Sequence, residues 1–175
     1  MSTKTQFDRL VPAGDTHERD VCNTCGFVNY QNPRIVVGSV VRHAGKVLLC
    51  RRAIEPRRGF WTVPAGYLEL NETPEDGARR EAREEALAHL KLGDLLAVYS
   101  VPHLSQVQLI YRAELTDPGA GAALFGVGEE SLEVELFDWD ALPVEDIAFP
   151  TVLWMLGHER EVQRQGYRGP FGNAG

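Results

Sequence analysis

Runs of aliphatic and β-branched residues broken by short polar turns make up most of the middle of the chain. "RIVVGSVVR" (34–42) and "KVLLCRR" (46–52), joined by "HAG", predict a β-hairpin. "FWTVPAGYLEL" (60–70) reads as two short extended pieces interrupted by Pro64. The period then changes. Thr73, Pro74 and Asp76 have the types expected at the N-cap, first and third positions of a helix. Helix-favouring residues continue through "ALAHLK", so this helix is expected to pass Leu87 and reach about Lys91, with Gly93 as its stop. "DLLAVYSV" (94–101), "QVQLIYRAEL" (106–115) and "SLEVELFDW" (131–139) return to strand patterns. Pro150 opens a last helix that Gly166 can close. Residues 1–20 show no pattern and read as a polar arm. The expected class is a mixed α/β domain.

Composition narrows the picture. A chain of 175 residues with 43% apolar content suits one globular domain with its own core. No apolar run approaches the roughly 20 residues of a membrane span, and the first 20 residues lack a signal-peptide core. A cytoplasmic protein with no membrane partner is expected. The net charge of −7 argues against nucleic acid as a partner. It would also repel a phosphate ligand unless metal ions intervene. Three cysteines cannot complete a disulfide framework. Cys50, inside a strand-like run, reads as a small buried hydrophobe. Cys22 and Cys25 in "VCNTCG" have the spacing of half a zinc site; His17 is a further candidate, but a tetrahedral ion needs four ligands. Structural zinc is therefore not expected.

The segment "RREAREEALA" (79–88) concentrates acid on one helical face. Glu81, Glu84 and Glu85 stand at i, i+3 and i+4, within an arc of about 100°. Ala78, Ala82 and Ala86 form an adjacent stripe able to lie against a sheet. A solvated helix neutralised by Arg79, Arg80 and Arg83 would explain the charges alone. Such a helix has no reason to gather mutually repelling glutamates on one face. Clustered carboxylates are, however, what Mg²⁺ or Mn²⁺ prefers.

From Gly66 the chain gives five residues, Glu72, seven residues, then Arg80-Glu81-Ala82-Arg83-Glu84-Glu85. This spacing resembles the Nudix box, the signature of hydrolases of nucleoside diphosphates linked to another moiety. Leu87 departs from it, standing where that family usually has glycine. "VCNTCGFVNYQNPRIVVG", "VLLCRRAIEPRRGFWTVPAGYLE", "VPHLSQVQLIYRAEL", "ESLEVELFDWDALP" and "IAFPTV" extend the likeness over about residues 20–155. They are similar to an ADP-ribose/FAD pyrophosphatase branch with an N-terminal cysteine ribbon, whose second cysteine pair is missing here.

The resemblance implies a Nudix fold: a mixed β-sheet sandwich with a catalytic loop–helix–loop and a C-terminal helix. It implies an arm with a degenerate ribbon over 1–33, a hydrolase domain over 34–166 and a tail over 167–175. It assigns metal binding to Glu81, Glu84, Glu85 and the Ala65 carbonyl, catalysis to Glu85, Glu84 and Glu130, and support to Gly66, Glu72 and Arg80. Glu133 is the neighbouring alternative to Glu130. The dense arginines before the box, Arg51, Arg52, Arg57 and Arg58, are candidate phosphate contacts. Phe60, Trp61, Tyr99 and Tyr111 either stack on a base or fill the core, the core being favoured. His103, in an expected loop, receives no proton-transfer role. The expected activity is Mg²⁺-dependent cleavage of the diphosphate in a small-molecule nucleotide such as ADP-ribose, FAD or NADH, releasing a mononucleotide. A sanitiser of oxidised nucleoside triphosphates, a non-catalytic nucleotide-sensing regulator and, more remotely, a nucleic-acid-binding ribbon are the alternatives. A homodimer is the expected assembly.

Overall fold

The computed structural model describes residues 6–119 and 121–173. They fall into two compact units that divide between Pro33 and Arg34. In the first, β1 (Phe7–Leu10), β2 (Arg19–Cys22) and β3 (Val28–Asn29) form an antiparallel sheet in that order. The expected featureless arm is thus partly a sheet. It escapes pattern reading because its strands have four residues or fewer and β1 is exposed along its whole length. Asp15 stabilises the β1–β2 connection by accepting from the backbone N–H groups of Thr16 and His17 and from Arg19 Nε.

The second unit holds a seven-stranded sheet built from β4 (Arg34–His43), β5 (Lys46–Arg52), β6 (Trp61–Thr62), β7 (Ala65–Tyr67), β8 (Leu90–Val101), β9 (Gln106–Leu115) and β10 (Ser131–Phe137). The main order is β10-β5-β4-β9-β8, with β6 beside β5 and β7 beside β4; β4 and β9 run parallel, and the other pairs are antiparallel. Side chains alternate across the strands, and two helices use the two faces. Val37 and Val41 of β4, with Leu48 and Cys50 of β5, lie in the clusters that contain Ala78 and Ala86 of α1 (Pro74–Ala86). Val40 and Leu49 pack with Val152, Met155, Leu156 and Val162 of α2 (Pro150–Gln165). Cys50 is 1% exposed, in keeping with a hydrophobe's role. Trp61, Tyr99 and Tyr111 are likewise buried in the core.

One expectation fails at the end of a helix. α1 stops at Ala86, and Leu87 caps it in the left-handed region at φ 50°. Intrinsic propensity loses to tertiary contacts here: Ala88 is fully buried, and β8 begins at Leu90 by pairing with Leu115. The tail is also engaged. Phe171 donates to the Leu96 carbonyl and accepts from Val98 N–H, and Asn173 bonds Ser100 N–H and C=O with its side chain. These bonds cover the outer edge of β8, which would otherwise present unpaired backbone groups. Among the described residues no helix is long and apolar enough to cross a membrane.

Candidate active site

Short local preferences bring the acidic groups to one place. Thr73 caps α1 by accepting from Asp76 N–H at 3.1 Å, with Pro74 in the first turn. The alanine stripe seats the helix on the sheet, so the face carrying Glu81 and Glu85 is drawn inward beside β7. Glu81 is 7% exposed and Glu85 5%. Glu84, on the outer side, keeps most of its surface and directs an oxygen to Arg80 Nη1 at 2.9 Å.

Backbone from β7 closes the other side. Ala65 N–H donates to Glu85 Oε2 at 3.3 Å. A Cβ on Gly66 would stand 2.5 Å from both Glu81 carboxylate oxygens, so a side chain there would displace this carboxylate. Glu72 and Arg80 meet through two bonds, Nε to Oε2 at 3.1 Å and Nη2 to Oε1 at 2.8 Å. The same guanidinium donates to the Tyr67 carbonyl, Glu81 and Glu84. It ties β7, the connecting loop and α1 together, as the supporting pair requires.

The electrostatics divide the cluster into a satisfied rim and a strained centre. Arg80, followed by the Glu69 N–H, holds the Glu72 carboxyl down at about 2. Burial raises Glu81, against the opposing pull of Arg80. Burial, then repulsion from Glu81, pushes Glu85 up to about 8; the Ala65 N–H and Arg52 oppose this, and Glu130 adds to it. Glu130 therefore acts on both buried carboxylates, whereas Glu133 is paired with Arg51 Nη1 at 2.8 Å. Arg51 is further fixed by the Gly59 carbonyl. Arg52 lies 5.3 Å over the Phe149 ring and donates to the Pro56 carbonyl. Arg58 is exposed and forms no ion pair among the described residues. Arg57 covers the Phe60 ring, and His103 sits exposed in a 3₁₀ turn.

No three His, Cys, Asp or Glu side chains among the described residues converge to enclose an ion unaided. The site nevertheless fits a divalent cation. Two buried like charges, one with a single long neutral hydrogen bond, are relieved when a hard cation replaces the proton, and the Gly66 cradle leaves backbone within reach. The cysteine pair by itself does not complete a zinc shell. Cys22 is buried and Cys25 exposed, and the ring of His17 bonds Thr16 instead. Two sulfurs fill half a tetrahedral shell.

The sequence reading overlooked the glycines of "FGVGEE". Gly126 and Gly128 donate to the Ala86 and Glu85 carbonyls at 2.8 and 3.1 Å, docking the Glu130 loop on the end of α1. Two glycines just ahead of an acid were the available signal.

Known proteins share this chain's sequence and fold. The NUDIX domain model matches residues 32–155, and a "Nudix N-terminal" zinc-ribbon model matches residues 4–31. A crystal structure of a NUDIX hydrolase from Nitrosomonas europaea superimposes with a TM-score of 0.88 at 42% identity, covering 98% of this chain and 96% of that one. An ADP-ribose pyrophosphatase from Methanocaldococcus jannaschii is 31% identical over 65% of this chain and 67% of its own length. The NAD-capped RNA hydrolase NudC of Vibrio parahaemolyticus is 39% identical over 40% of this chain, which there spans 26% of the relative's length.

Proposed function

The chain belongs to the Nudix family and is a hydrolase of pyrophosphate bonds, and from that premise we propose that it cleaves the diphosphate of a nucleoside diphosphate linked to another moiety, of the ADP-ribose, FAD or NADH kind. The observation that carries the reading is the pair of buried carboxylates, Glu81 and Glu85, left without a counter-charge on Glu85 beside the Gly66 backbone. Glu81, Glu84, Glu85 and the Ala65 carbonyl would hold Mg²⁺ or Mn²⁺. An ion held there would neutralise charge on the diphosphate and lower the pKa of a water for attack at phosphorus. Arg80 and Glu72 fix the helix and loop so that the carboxylates keep their positions. Glu130, exposed at the rim, accepts the proton of the attacking water. Arg52, whose charge acts on Glu85, takes the phosphate oxygens, with Arg51 of β5 and Arg58 of the exposed loop as further contacts.

We expect no structural zinc on two thiolates alone, and we place the protein in the cytoplasm as a homodimer. The test is a hydrolysis panel of ADP-ribose, FAD, NADH and 8-oxo-dGTP with Mg²⁺ and Mn²⁺, each repeated in excess EDTA. Preference by kcat/KM for the linked diphosphates, lost in EDTA, is expected. 8-oxo-dGTP ahead of the other three would replace this reading with nucleotide sanitisation. Tight binding without turnover would make the protein a sensor.

A further inference from the structure

We infer that Gly128 is a positioning residue for the Glu130 carboxylate: its N–H docks on the last turn of α1 in a space that no side chain can share. The inference rests on the reading that Glu130 takes part in hydrolysis. Glu130 is exposed, and the described residues of its loop form no helix or strand before β10. Its backbone is nevertheless held from both sides. Gly128 N–H binds the Glu85 carbonyl at 3.1 Å, and Ser131 N–H closes back on the Gly128 carbonyl at 3.1 Å. On the far side, Ala53 N–H, just beyond β5, donates to the Glu130 carbonyl at 2.8 Å. Glu130 is therefore suspended between the helix carrying Glu81 and Glu85 and the strand carrying Arg51 and Arg52.

The demand for glycine at 128 is one of space. Its φ is not in the left-handed region, yet a Cβ would stand 1.8 Å from the Glu84 carbonyl oxygen and 2.8 Å from the Glu84 and Glu85 carbonyl carbons. Those atoms belong to the helix backbone and cannot rotate away. Gly126 provides a control within the same loop. There a Cβ would meet the Leu87 Cδ1 tip at 3.2 Å, a side chain that is half exposed and free to give.

The test is a double-mutant cycle on the full chain with ADP-ribose, comparing G128A, E130Q and the double variant, with G126A alongside. Mn²⁺ affinity is measured by calorimetry without substrate, and folding by thermal unfolding. E130Q should lower kcat roughly 100-fold. G128A should lower kcat at least about tenfold at nearly unchanged KM, and the double variant should fall within about twofold of E130Q. Mn²⁺ affinity should stay within about twofold of the parent in every variant, because Glu130 is not among the residues that would hold the ion. A drop in G128A alone would mean damage to the end of α1 and overturn the positioning role. G126A should stay within about twofold of the parent. Losses that multiply in the double variant, or a G128A as active as the parent, would overturn the positioning role. A fully active E130Q would instead remove Glu130 from the reaction, a separate failure. Should G128A not fold, A53P, which deletes the N–H holding the Glu130 carbonyl, takes its place with the same expectations.

Discussion

Each helix of the hydrolase unit buries a glutamate against the sheet, and the two are treated in opposite ways. Glu159 of α2 is fully buried and receives Arg112 through Nε at 2.7 Å and Nη2 at 3.0 Å, with Arg42 Nε 3.2 Å away. Glu85 of α1 is 5% exposed, receives one backbone N–H at 3.3 Å, and shares its surroundings with Glu81 and Glu130. A carboxylate that holds structure is neutralised by the chain itself. A carboxylate left under-compensated is open to a charge from outside. Burial alone does not separate these cases; the partner does.

The comparison breaks most visibly through Glu85→Gln. Removing the charge should lower kcat roughly a thousandfold or more, because electrostatic stabilisation at phosphorus is lost. The metal-free variant should be at least as stable as the parent, since the amide cannot be ionised in its buried place. Measured kcat with thermal unfolding in EDTA checks both. Activity of the parent persisting in excess EDTA would contradict a cation at this face.

Glu159→Gln should do the reverse. It leaves Arg112 and Arg42 without their shared counter-charge, at a cost of about 3 kcal/mol in a urea titration. Turnover at temperatures where the variant stays folded should remain near the parent's. A large loss of kcat without loss of stability would mean that α2 also serves the reaction.

Around α1 the same contrast sets rim against centre, and pH separates them. Glu72 is held at about 2 against an ordinary 4.5, with Arg80 as the leading cause. A depressed carboxyl stabilises the fold above its unfolded value, and that contribution is lost as pH falls through the folded value. The parent should therefore lose melting temperature more steeply than Glu72→Gln between about pH 4.5 and 2. Parallel profiles would show that the pair does not tighten the loop.

Fixed-spacing features were legible in sequence because local chemistry decides them. Thr73 and Pro74 start α1 through backbone groups a few residues away, and the i, i+3, i+4 glutamates share a face whatever surrounds them. The contrast between Glu85 and Glu159 was not legible. In sequence Glu159 is one charge in "GHEREVQRQ", and its partners come from β4 and β9, 117 and 47 residues distant in the chain. The Glu130 loop was recognised by its acid but not by its attachment, since Gly128 meets α1 more than forty residues after the helix ends. The N-terminal sheet was missed for want of any apolar alternation.

The smallest expected effect lies where the helices end. α2 closes on Gly166 at φ 80°, as its sequence suggests, whereas α1 closes on Leu87 at φ 50°. A leucine there crowds its Cβ against the neighbouring carbonyl, a strain of roughly 1–2 kcal/mol that glycine does not suffer. Part of that gain is offset by the greater freedom glycine has in the unfolded chain. Leu87 is 56% exposed, and on the loop its side chain lies beside Gly126, which has no side chain, so little apolar contact would be lost. Leu87→Gly should therefore stabilise the protein by about 0.5–1 kcal/mol. This reverses the sign expected from helix propensity, which assumed that the helix continued. Glu81, Glu84 and Glu85 all precede the cap, and the N–H groups of Gly126 and Gly128 still find their carbonyls. Metal affinity and kcat should consequently stay close to the parent's. A loss of stability in chemical denaturation would show that the Leu87 side chain fastens the loop more than its backbone strains the cap.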